Sequence, residues 1–256
     1  MHCVGSGAPT IVLEAGLDAT HASWANVQPA LARITRTCSY DRLRGKRSVD
    51  ADLRDLTTLL ARSHARSPYV FVGHSFGGVL AYLYAARHRR KVKGAVLVDA
   101  ESPWQTRAFL RALGHPRRGE AAVAKRLRAF LVTSPPNAEG VNVTRALAEA
   151  RSAGPLRHIP LVVIEAGLEN SPSLPVRLKF LFDRTWFLLQ ARLARLSSDH
   201  IHVVAPTSGH DVIAASGAPG LVVAATDAVV HAVRAHRPLQ ACADVFAQFP
   251  AQCVSG

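Results

Sequence analysis

Hydrophobic and polar residues follow two recurring patterns along this chain. Short runs rich in valine, isoleucine and tyrosine predict six β-strands, at residues 10–14, 36–40, 69–73, 92–99, 161–165 and 200–205. The stretches between them carry apolar residues at three- and four-residue spacing, which predicts helices at residues 24–33, 49–62, 76–87, 176–196 and 221–235. This alternation predicts an α/β fold, with a mostly parallel twisted sheet and helices on both faces.

One segment interrupts the alternation. Residues 101–158 are rich in arginine and alanine and have helical rather than strand character. We expect a small helical, lid-like insertion there, within a single domain that spans residues 1–256 and ends in a tail at about 238–256. We expect no transmembrane segment, because the most apolar stretch, near residues 220–230, contains Asp227 and is too short to span a bilayer.

The chain has 31 lysine and arginine residues against 18 aspartate and glutamate residues, which gives a formal net charge of +13. Such an excess can indicate a nucleic-acid partner or an anionic surface. Most of these basic residues are arginines scattered along the chain, and no aromatic residues interleave with them to stack on bases. We therefore expect no specific nucleic-acid partner.

Four cysteines lie near the two ends of the chain, Cys3 and Cys38 at the start and Cys242 and Cys253 at the end. This arrangement predicts two disulfide bonds, one in each pair, and a secreted or extracytoplasmic protein. Reduced thiols in a cytoplasmic protein are the alternative. The sequence starts without a recognisable signal peptide, so an exported protein would be the mature part of a longer precursor. No cysteines or histidines fall at zinc-ligand spacing, and we expect neither a metal nor a cofactor.

The strongest chemical signal is Gly-His-Ser-Phe-Gly-Gly at residues 73–78, directly between a predicted strand and a predicted helix. A serine on such a tight turn adopts strained backbone angles, and glycine is needed two residues to either side of it. Gly73 and Gly77 meet that requirement. The turn would expose the Ser75 hydroxyl near the positive end of the helix, where developing negative charge is stabilised. Ser75 is therefore the candidate nucleophile.

This motif, together with Leu-Glu-Ala-Gly-Leu at residues 13–17 and Ser-Gly-His at residues 208–210, resembles the α/β-hydrolase superfamily, in particular its small esterase and lipase-like members. The resemblance covers nearly the whole chain. It implies a Ser–His–acid triad and an oxyanion hole made by the backbone N–H groups of Leu17 and Phe76. The chain has Ala15 where the family carries histidine or a similar residue before the glycine.

The resemblance implies that His210 is the general base, because it follows the last predicted strand in the order nucleophile, acid, base. A neutral imidazole can accept the serine proton and return it to the leaving group. We expect His74 to pack beside the elbow and to take no part in catalysis.

The acid of the triad stays open between two positions. In many family members it follows the strand at 161–165, where this chain has Glu169 beside Asn170. In a minority it directly follows the strand after the nucleophile helix, where this chain has Asp99. Glu165 is a further alternative. A carboxylate at any of these positions could orient the imidazole and stabilise its cation.

Some remaining residues have expected structural roles. Asp41 and Arg42 resemble a structural stretch of the family, and we expect them to form an ion pair at the sheet's edge. Trp24 is expected to pack in the core, whereas Trp104 and Trp186 could line an apolar cleft, with Trp104 facing the site from the start of the insertion.

These residues predict a serine hydrolase that cleaves carboxylic esters through an acyl-enzyme on Ser75. The expected partner is a small-molecule ester, and the apolar insertion favours an uncharged acyl chain. We expect a monomer. The resemblance leaves open an amidase, lactonase or thioesterase that uses the same triad. A catalytically inactive binding protein of the same fold is a further alternative.

Overall fold

Strands and helices alternate along the chain much as the hydrophobic pattern predicts. The computed structural model describes residues 1–45, 47–116, 118, 121–134, 136–168 and 174–254. Its strands are β1 (His2–Val4), β2 (Thr10–Glu14), β3 (Thr37–Ser39), β4 (Tyr69–His74), β5 (Val92–Val98), β6 (Leu161–Ala166), β7 (His200–Ala205) and β8 (Gln252–Cys253). A 3₁₀ helix (His21–Trp24) precedes helices α1 (Gln28–Ala32), α2 (Val49–Arg62), α3 (Phe76–Arg87), α4 (Gln105–Leu113), α5 (Ala122–Val132), α6 (Val143–Arg151), α7 (Val176–Ala194), α8 (Pro219–Ala235) and α9 (Cys242–Val245).

The described strands form one sheet in the order β1-β3-β2-β4-β5-β6-β7-β8. The six inner strands run parallel to one another, and they are the six that the sequence predicts: β3, β2, β4, β5, β6 and β7. The two outer strands, β1 and β8, run antiparallel to their neighbours. The predicted α/β class with a mostly parallel sheet is confirmed.

Successive side chains of the central strands point to opposite faces of the sheet, as the strand geometry requires. Val12 and Phe71 pack on the face covered by α2, α3 and α6, whereas Ile11 and Val70 pack on the face covered by α1 and α8. Both faces are therefore buried, which explains why these strands read as continuous apolar runs.

The segment between β5 and β6 contains α4, α5 and α6, so it is helical, as the sequence predicts. The helix α4 packs on α7, where the ring of Phe109 stacks on Phe182 with centroids 4.6 Å apart. These two helices cover the carboxyl ends of the central strands and form the roof of the site described below.

Both predicted disulfide bonds are present, Cys3–Cys38 and Cys242–Cys253. The first joins β1 to β3 at directly opposed positions, and the second joins α9 to β8. The sequence does not predict β1 and β8, because segments of two or three residues are too short to show a period of two. Within the described ranges, no helix is long and apolar enough to cross a bilayer.

Candidate active site

Ser75 lies on a sharp turn between β4 and α3, with backbone angles (φ 54°, ψ −124°) that residues other than glycine rarely adopt. Two glycines make this turn possible. A Cβ on Gly73 would lie 2.6 Å from the carbonyl oxygen of Gly77, and a Cβ on Gly77 would collide with the carbonyl oxygens of Glu14 and Ala15. The motif therefore folds into the strand–turn–helix elbow that the sequence predicts.

A chain of hydrogen bonds connects Ser75 to two further side chains. His210 Nε2 lies 3.0 Å from Ser75 Oγ, and His210 Nδ1 lies 2.6 Å from Asp99 Oδ2. The neutral tautomer with its proton on Nδ1 can donate to Asp99 and accept from the serine hydroxyl. The three residues follow β4, β5 and β7, so the parallel strands bring them together at their carboxyl ends.

Asp99 is fully buried directly after β5, and its backbone has a positive φ of 39°. Its Oδ1 accepts hydrogen bonds from the backbone N–H of Ala166 at 3.1 Å and from the indole N–H of Trp186 at 2.8 Å. A buried carboxylate is stable only when such donors replace water. These bonds fix the carboxylate with Oδ2 turned toward His210.

The other two candidate acids differ from Asp99. Glu165 Oε2 lies 2.8 Å from His202 Nε2 in a buried contact, so another histidine engages this carboxylate. Glu169 lies outside the residues that the structure describes. Of the candidate acids in the described part of the chain, Asp99 is the one in contact with His210.

The surroundings of His210 raise the pKa of its imidazole above the ordinary value. The hydrogen bond to Asp99 is the main cause, burial opposes it, and the negative charges of Asp99, Asp211 and Glu101 add to it. Burial lowers the pKa of the neighbouring His74, whose Nε2 lies 2.8 Å from the carbonyl oxygen of His210. A neutral His74 can donate this hydrogen bond and hold the His210 backbone, which agrees with the packing role expected for it.

The loop after β2 runs close to Ser75. A Cβ on Gly16 would lie 3.5 Å from Ser75 Cβ, and Leu17 lines a cavity together with Ser75 and His210. Phe76 is the first residue of α3, and the first N–H groups of a helix have no partner within it. The two residues that the resemblance assigns to the oxyanion hole therefore lie on the two segments that flank Ser75.

Arg42 holds this loop in place. Its side chain is 3% exposed and forms ion pairs with Glu14 and Glu139, each at 2.7 Å. It also donates hydrogen bonds to the carbonyl oxygens of Ala15 and Gly16. Burial alone would lower the pKa of Arg42, but the hydrogen bond to Glu139 and the charge of Glu14 raise it above the ordinary value. The guanidinium therefore stays charged between two buried carboxylates.

The expected ion pair between Asp41 and Arg42 is wrong. Asp41 instead contacts His21 at 3.0 Å near the surface. Neighbouring residues in extended backbone point to opposite sides, so Arg42 turns inward while Asp41 faces outward. The partner of Arg42 in the insertion, Glu139, lies 97 positions away along the chain, and no local sequence signal connects the two.

Ser75 and His210 lie where two cavities meet. The larger, of about 760 Å³, lies beneath α4, α5 and α7, and its described lining includes the aromatic residues Phe109, Phe130, Phe180, Phe182, Trp186 and Phe187. The smaller, of about 390 Å³, lies beside the loops after β2 and β7. A separate cavity of about 1020 Å³ lies at the opposite end of the strands, around Pro9, Pro68 and Pro160, and does not reach Ser75.

No three His, Cys, Asp or Glu side chains of the described residues are grouped to hold a metal ion.

Sequence reasoning missed two contributions to the site. It places Trp186 in a cleft, but nothing local indicates the hydrogen bond to Asp99, which lies 87 positions away. It also gives no role to Glu101, which lines the larger cavity and whose pKa burial raises to about 6. Trp24 is buried as expected, whereas Trp104 stacks against the Arg192 guanidinium at 3.9 Å and is absent from the described lining of the cavities at Ser75.

Comparison with known proteins places this chain in a family. Residues 9–137, just over half of the chain, match the family model of the α/β-hydrolase fold. The uncharacterized protein YqjL of Bacillus subtilis is 31% identical over 106 residues, which cover 38% of this chain and 42% of YqjL. The chain therefore matches less than half the length of that relative.

Two solved structures illustrate the shared fold. A thermophilic esterase from Thermogutta terrifontis superposes with a TM-score of 0.58 at 18% identity, over 91% of this chain and 92% of its own. An epoxide hydrolase from hot-environment metagenomes superposes with a TM-score of 0.54 at 16% identity, over 89% of this chain and 93% of its own. From the family model and the shared fold we conclude that the chain belongs to the α/β-hydrolase fold family.

Proposed function

We propose that this protein is a serine hydrolase of carboxylic esters, with Ser75 as nucleophile, His210 as general base and Asp99 as the acid that orients His210. The observation that carries the proposal is the unbroken chain of hydrogen bonds from Ser75 through His210 to Asp99, at 3.0 and 2.6 Å. A serine hydroxyl is a weak nucleophile until an adjacent base takes its proton, and this arrangement supplies that base.

In the first half of the reaction, Ser75 Oγ attacks the acyl carbon while His210 Nε2 takes the hydroxyl proton. Asp99 stabilises the resulting imidazolium without itself becoming protonated. The carbonyl oxygen gains negative charge, which the N–H groups of Leu17 and Phe76 stabilise. His210 then gives the proton to the departing alkoxide, the bond between the acyl carbon and that oxygen breaks, and the acyl group stays on Ser75.

In the second half, His210 takes a proton from water, and the hydroxide attacks the acyl-enzyme. The bond to Ser75 Oγ breaks and the serine regains its proton from His210, which releases a carboxylic acid. Members of the family that act on epoxides or halides carry an aspartate at the nucleophile position, so a serine at position 75 supports ester chemistry instead.

The two cavities give the substrate an asymmetric shape. The aromatic cavity of about 760 Å³ accommodates the bulky, mainly apolar part of the ester, and the cavity of about 390 Å³ accommodates a smaller part. The aromatic lining is compatible with the uncharged acyl chain that the sequence leads us to expect. An amide, lactone or thioester would use the same three residues, and hydrolysis of matched substrates distinguishes these classes.

Hydrolysis of p-nitrophenyl butyrate and covalent labelling by a fluorophosphonate test the proposal. We expect both in the wild-type protein and neither in the Ser75→Ala variant. Ser152→Ala is the matched control, because Ser152 is absent from the described lining of both cavities and its hydroxyl bonds only the backbone of Glu149 among the described residues. Labelling that persists in Ser75→Ala overturns the proposal, because it shows that another residue is the nucleophile. A folded wild-type protein that neither hydrolyses nor labels also overturns it and favours an inactive binding protein.

We further propose that the protein works as a monomer in an oxidising, extracytoplasmic compartment. The two disulfide bonds support this location, because reducing compartments keep most thiols free. Light scattering coupled to size-exclusion chromatography tests the monomer. Thiol alkylation of protein taken directly from cells, with mass mapping, tests whether both bonds form in the native location.

A further inference from the structure

Acidic side chains line the larger cavity at Ser75, although the chain as a whole is strongly basic. The described lining contains three carboxylates, Glu101, Glu165 and Asp183, against one guanidinium, Arg184. The whole chain has the opposite balance, with 31 basic and 18 acidic residues. The charge of this cavity therefore does not follow from composition, and a ligand that enters it meets carboxylates.

Of these three carboxylates, Glu101 is tied most directly to Ser75. Its backbone N–H donates to the carbonyl oxygen of Ser75 at 3.1 Å, and its side chain lines the same cavity as the serine hydroxyl. Within the described part of the chain, its carboxylate accepts one side-chain hydrogen bond, from Gln105 Nε2 at 3.2 Å. Glu165, in contrast, is paired with His202. Glu101 therefore has acceptor capacity left for a ligand.

A stack of aromatic rings forms the neighbouring wall of the cavity. Phe109 lies between Phe182, with centroids 4.6 Å apart, and Trp186, with centroids 6.4 Å apart. Glu101, Gln105 and Phe109 all line this cavity, and the hydrogen bond from Gln105 connects the Glu101 carboxylate to the first residue of α4. The carboxylate and the ring stack therefore belong to one continuous surface of the cavity.

We infer that this surface is a binding site for an organic cation, in which the Glu101 carboxylate and the faces of the aromatic rings receive an ammonium group of the substrate. Aromatic faces attract cations through their quadrupole, and a nearby carboxylate adds a direct charge interaction. The inference rests on the proposed function only for the position of the ester at Ser75. It departs from the expectation of an uncharged chain, because a purely apolar chain would leave the Glu101 carboxylate in a desolvated site with the Gln105 hydrogen bond but no cation.

At neutral pH the Glu101 carboxylate is mostly ionised, because burial raises its pKa only to about 6. Its charge also contributes to the raised pKa of His210. A role limited to that effect would make Glu101 a positioning residue for the base and would give it no preference among ligands. A preference for a cation over a neutral molecule of the same shape would distinguish a ligand-binding role of Glu101 from a positioning role.

Calorimetric titration of the Ser75→Ala protein tests the cation site without requiring hydrolysis. The probes are choline and 3,3-dimethylbutan-1-ol. They have the same shape, but the alcohol has a neutral carbon where choline has a charged nitrogen. At about 0.15 M salt we expect choline to bind roughly tenfold more tightly. Adding Glu101→Gln should remove most of this difference and leave the affinity for the alcohol within about twofold. Asp227→Asn, at an exposed position of α8 outside the described lining of the cavity, is the control and should change neither affinity.

Three results would overturn the inference: equal or weaker binding of choline than of the alcohol, binding of neither probe, or a choline affinity that Glu101→Gln leaves unchanged. Equal weakening of both probes by Glu101→Gln would indicate a merely structural role of Glu101 and would overturn the inference as well. The outcome is independent of the proposed function, because choline can bind to a protein whose serine proves inactive. Conversely, an active serine hydrolase that prefers the alcohol would keep the proposed function and exclude the cation site.

Discussion

The indole N–H of Trp186 donates a 2.8 Å hydrogen bond to Asp99 Oδ1, the oxygen that His210 does not contact. A residue on α7, the roof of the larger cavity, therefore helps to fix the carboxylate that orients the imidazole. The same indole belongs to the ring stack with Phe109. In the proposed mechanism, binding of a substrate against these rings and the orientation of His210 would thus depend on one shared side chain.

Removing the charge of Asp99 should lower kcat far more than deleting one of the hydrogen bonds that hold its carboxylate in place. We expect Asp99→Asn to lower kcat by about 10³–10⁴-fold, because the imidazole loses its correct tautomer and the stabilisation of its cation. Trp186→Phe keeps an aromatic ring, though a smaller one, and deletes one hydrogen bond, for which we expect a loss of about 3–10-fold. Esterase kinetics on purified variants measure both.

Glu169→Gln is the comparison that decides between the two candidate acids. With Asp99 as the acid, it should retain activity within about twofold. A collapse of activity in Glu169→Gln together with a mild effect of Asp99→Asn would reverse the assignment.

The pH dependence of kcat/KM should report the titration of His210. Its imidazole must be neutral to accept the serine proton, and its pKa is raised, mainly by the hydrogen bond to Asp99. Activity should therefore fall as the pH decreases through a value above the ordinary 6.5 of histidine. Glu101→Gln removes one of the charges that raise this pKa, so its acid limb should shift to lower pH. An acid limb that lies below the ordinary value in the wild type would contradict the prediction.

Arg42 should be a major contributor to stability. Arg42→Met leaves Glu14 and Glu139 buried without their cation, and breaking such a buried pair costs about 3–5 kcal/mol of the free energy of unfolding. Arg145→Met removes an exposed pair with Glu149 and should cost about 0.5 kcal/mol or less. Urea denaturation followed by circular dichroism measures both values. Similar costs for the two variants would show that the buried network is not stabilising.

Alanine at an elbow glycine should lower stability and activity far more than alanine at Gly209, the residue before His210. Gly77→Ala places a Cβ against the carbonyl oxygens of Glu14 and Ala15, so we expect loss of activity and a destabilisation of about 3 kcal/mol or more. Gly209→Ala meets no atom within 4 Å and should keep both stability and activity. Thermal melting and esterase assays of the two variants make the comparison, and an active, stable Gly77→Ala protein would be inconsistent with the elbow geometry.

The sequence predicts the elements that have a long or strongly periodic pattern. The strands at 10–14 and 200–205 and the helices at 49–62 and 76–87 match the structure residue for residue. The elbow is equally accessible, because its strain requires particular residues at fixed spacing. The short outer strands β1 and β8 are missed, because two or three residues fit any period.

The parts of the site that escape prediction depend on contacts between distant segments. Arg42 and Asp41 are adjacent and opposite in charge, yet the fold brings Arg42 to Glu14 and Glu139. The choice among carboxylates for His210 likewise depends on which strand ends meet. A single sequence contains no record of such pairings, whereas the order of the strands determines them.

The covalent bonds at the two borders of the sheet have a consequence for association between molecules. An unpaired strand border offers N–H and C=O groups on which another chain can add a strand. Here β1 and β8 occupy the two borders as short antiparallel strands, and Cys3 and Cys253 attach them to the rest of the protein. Reduction of these bonds would free strands that few hydrogen bonds retain. Loss of the disulfides would thus promote strand-by-strand aggregation, starting at the two borders of the sheet.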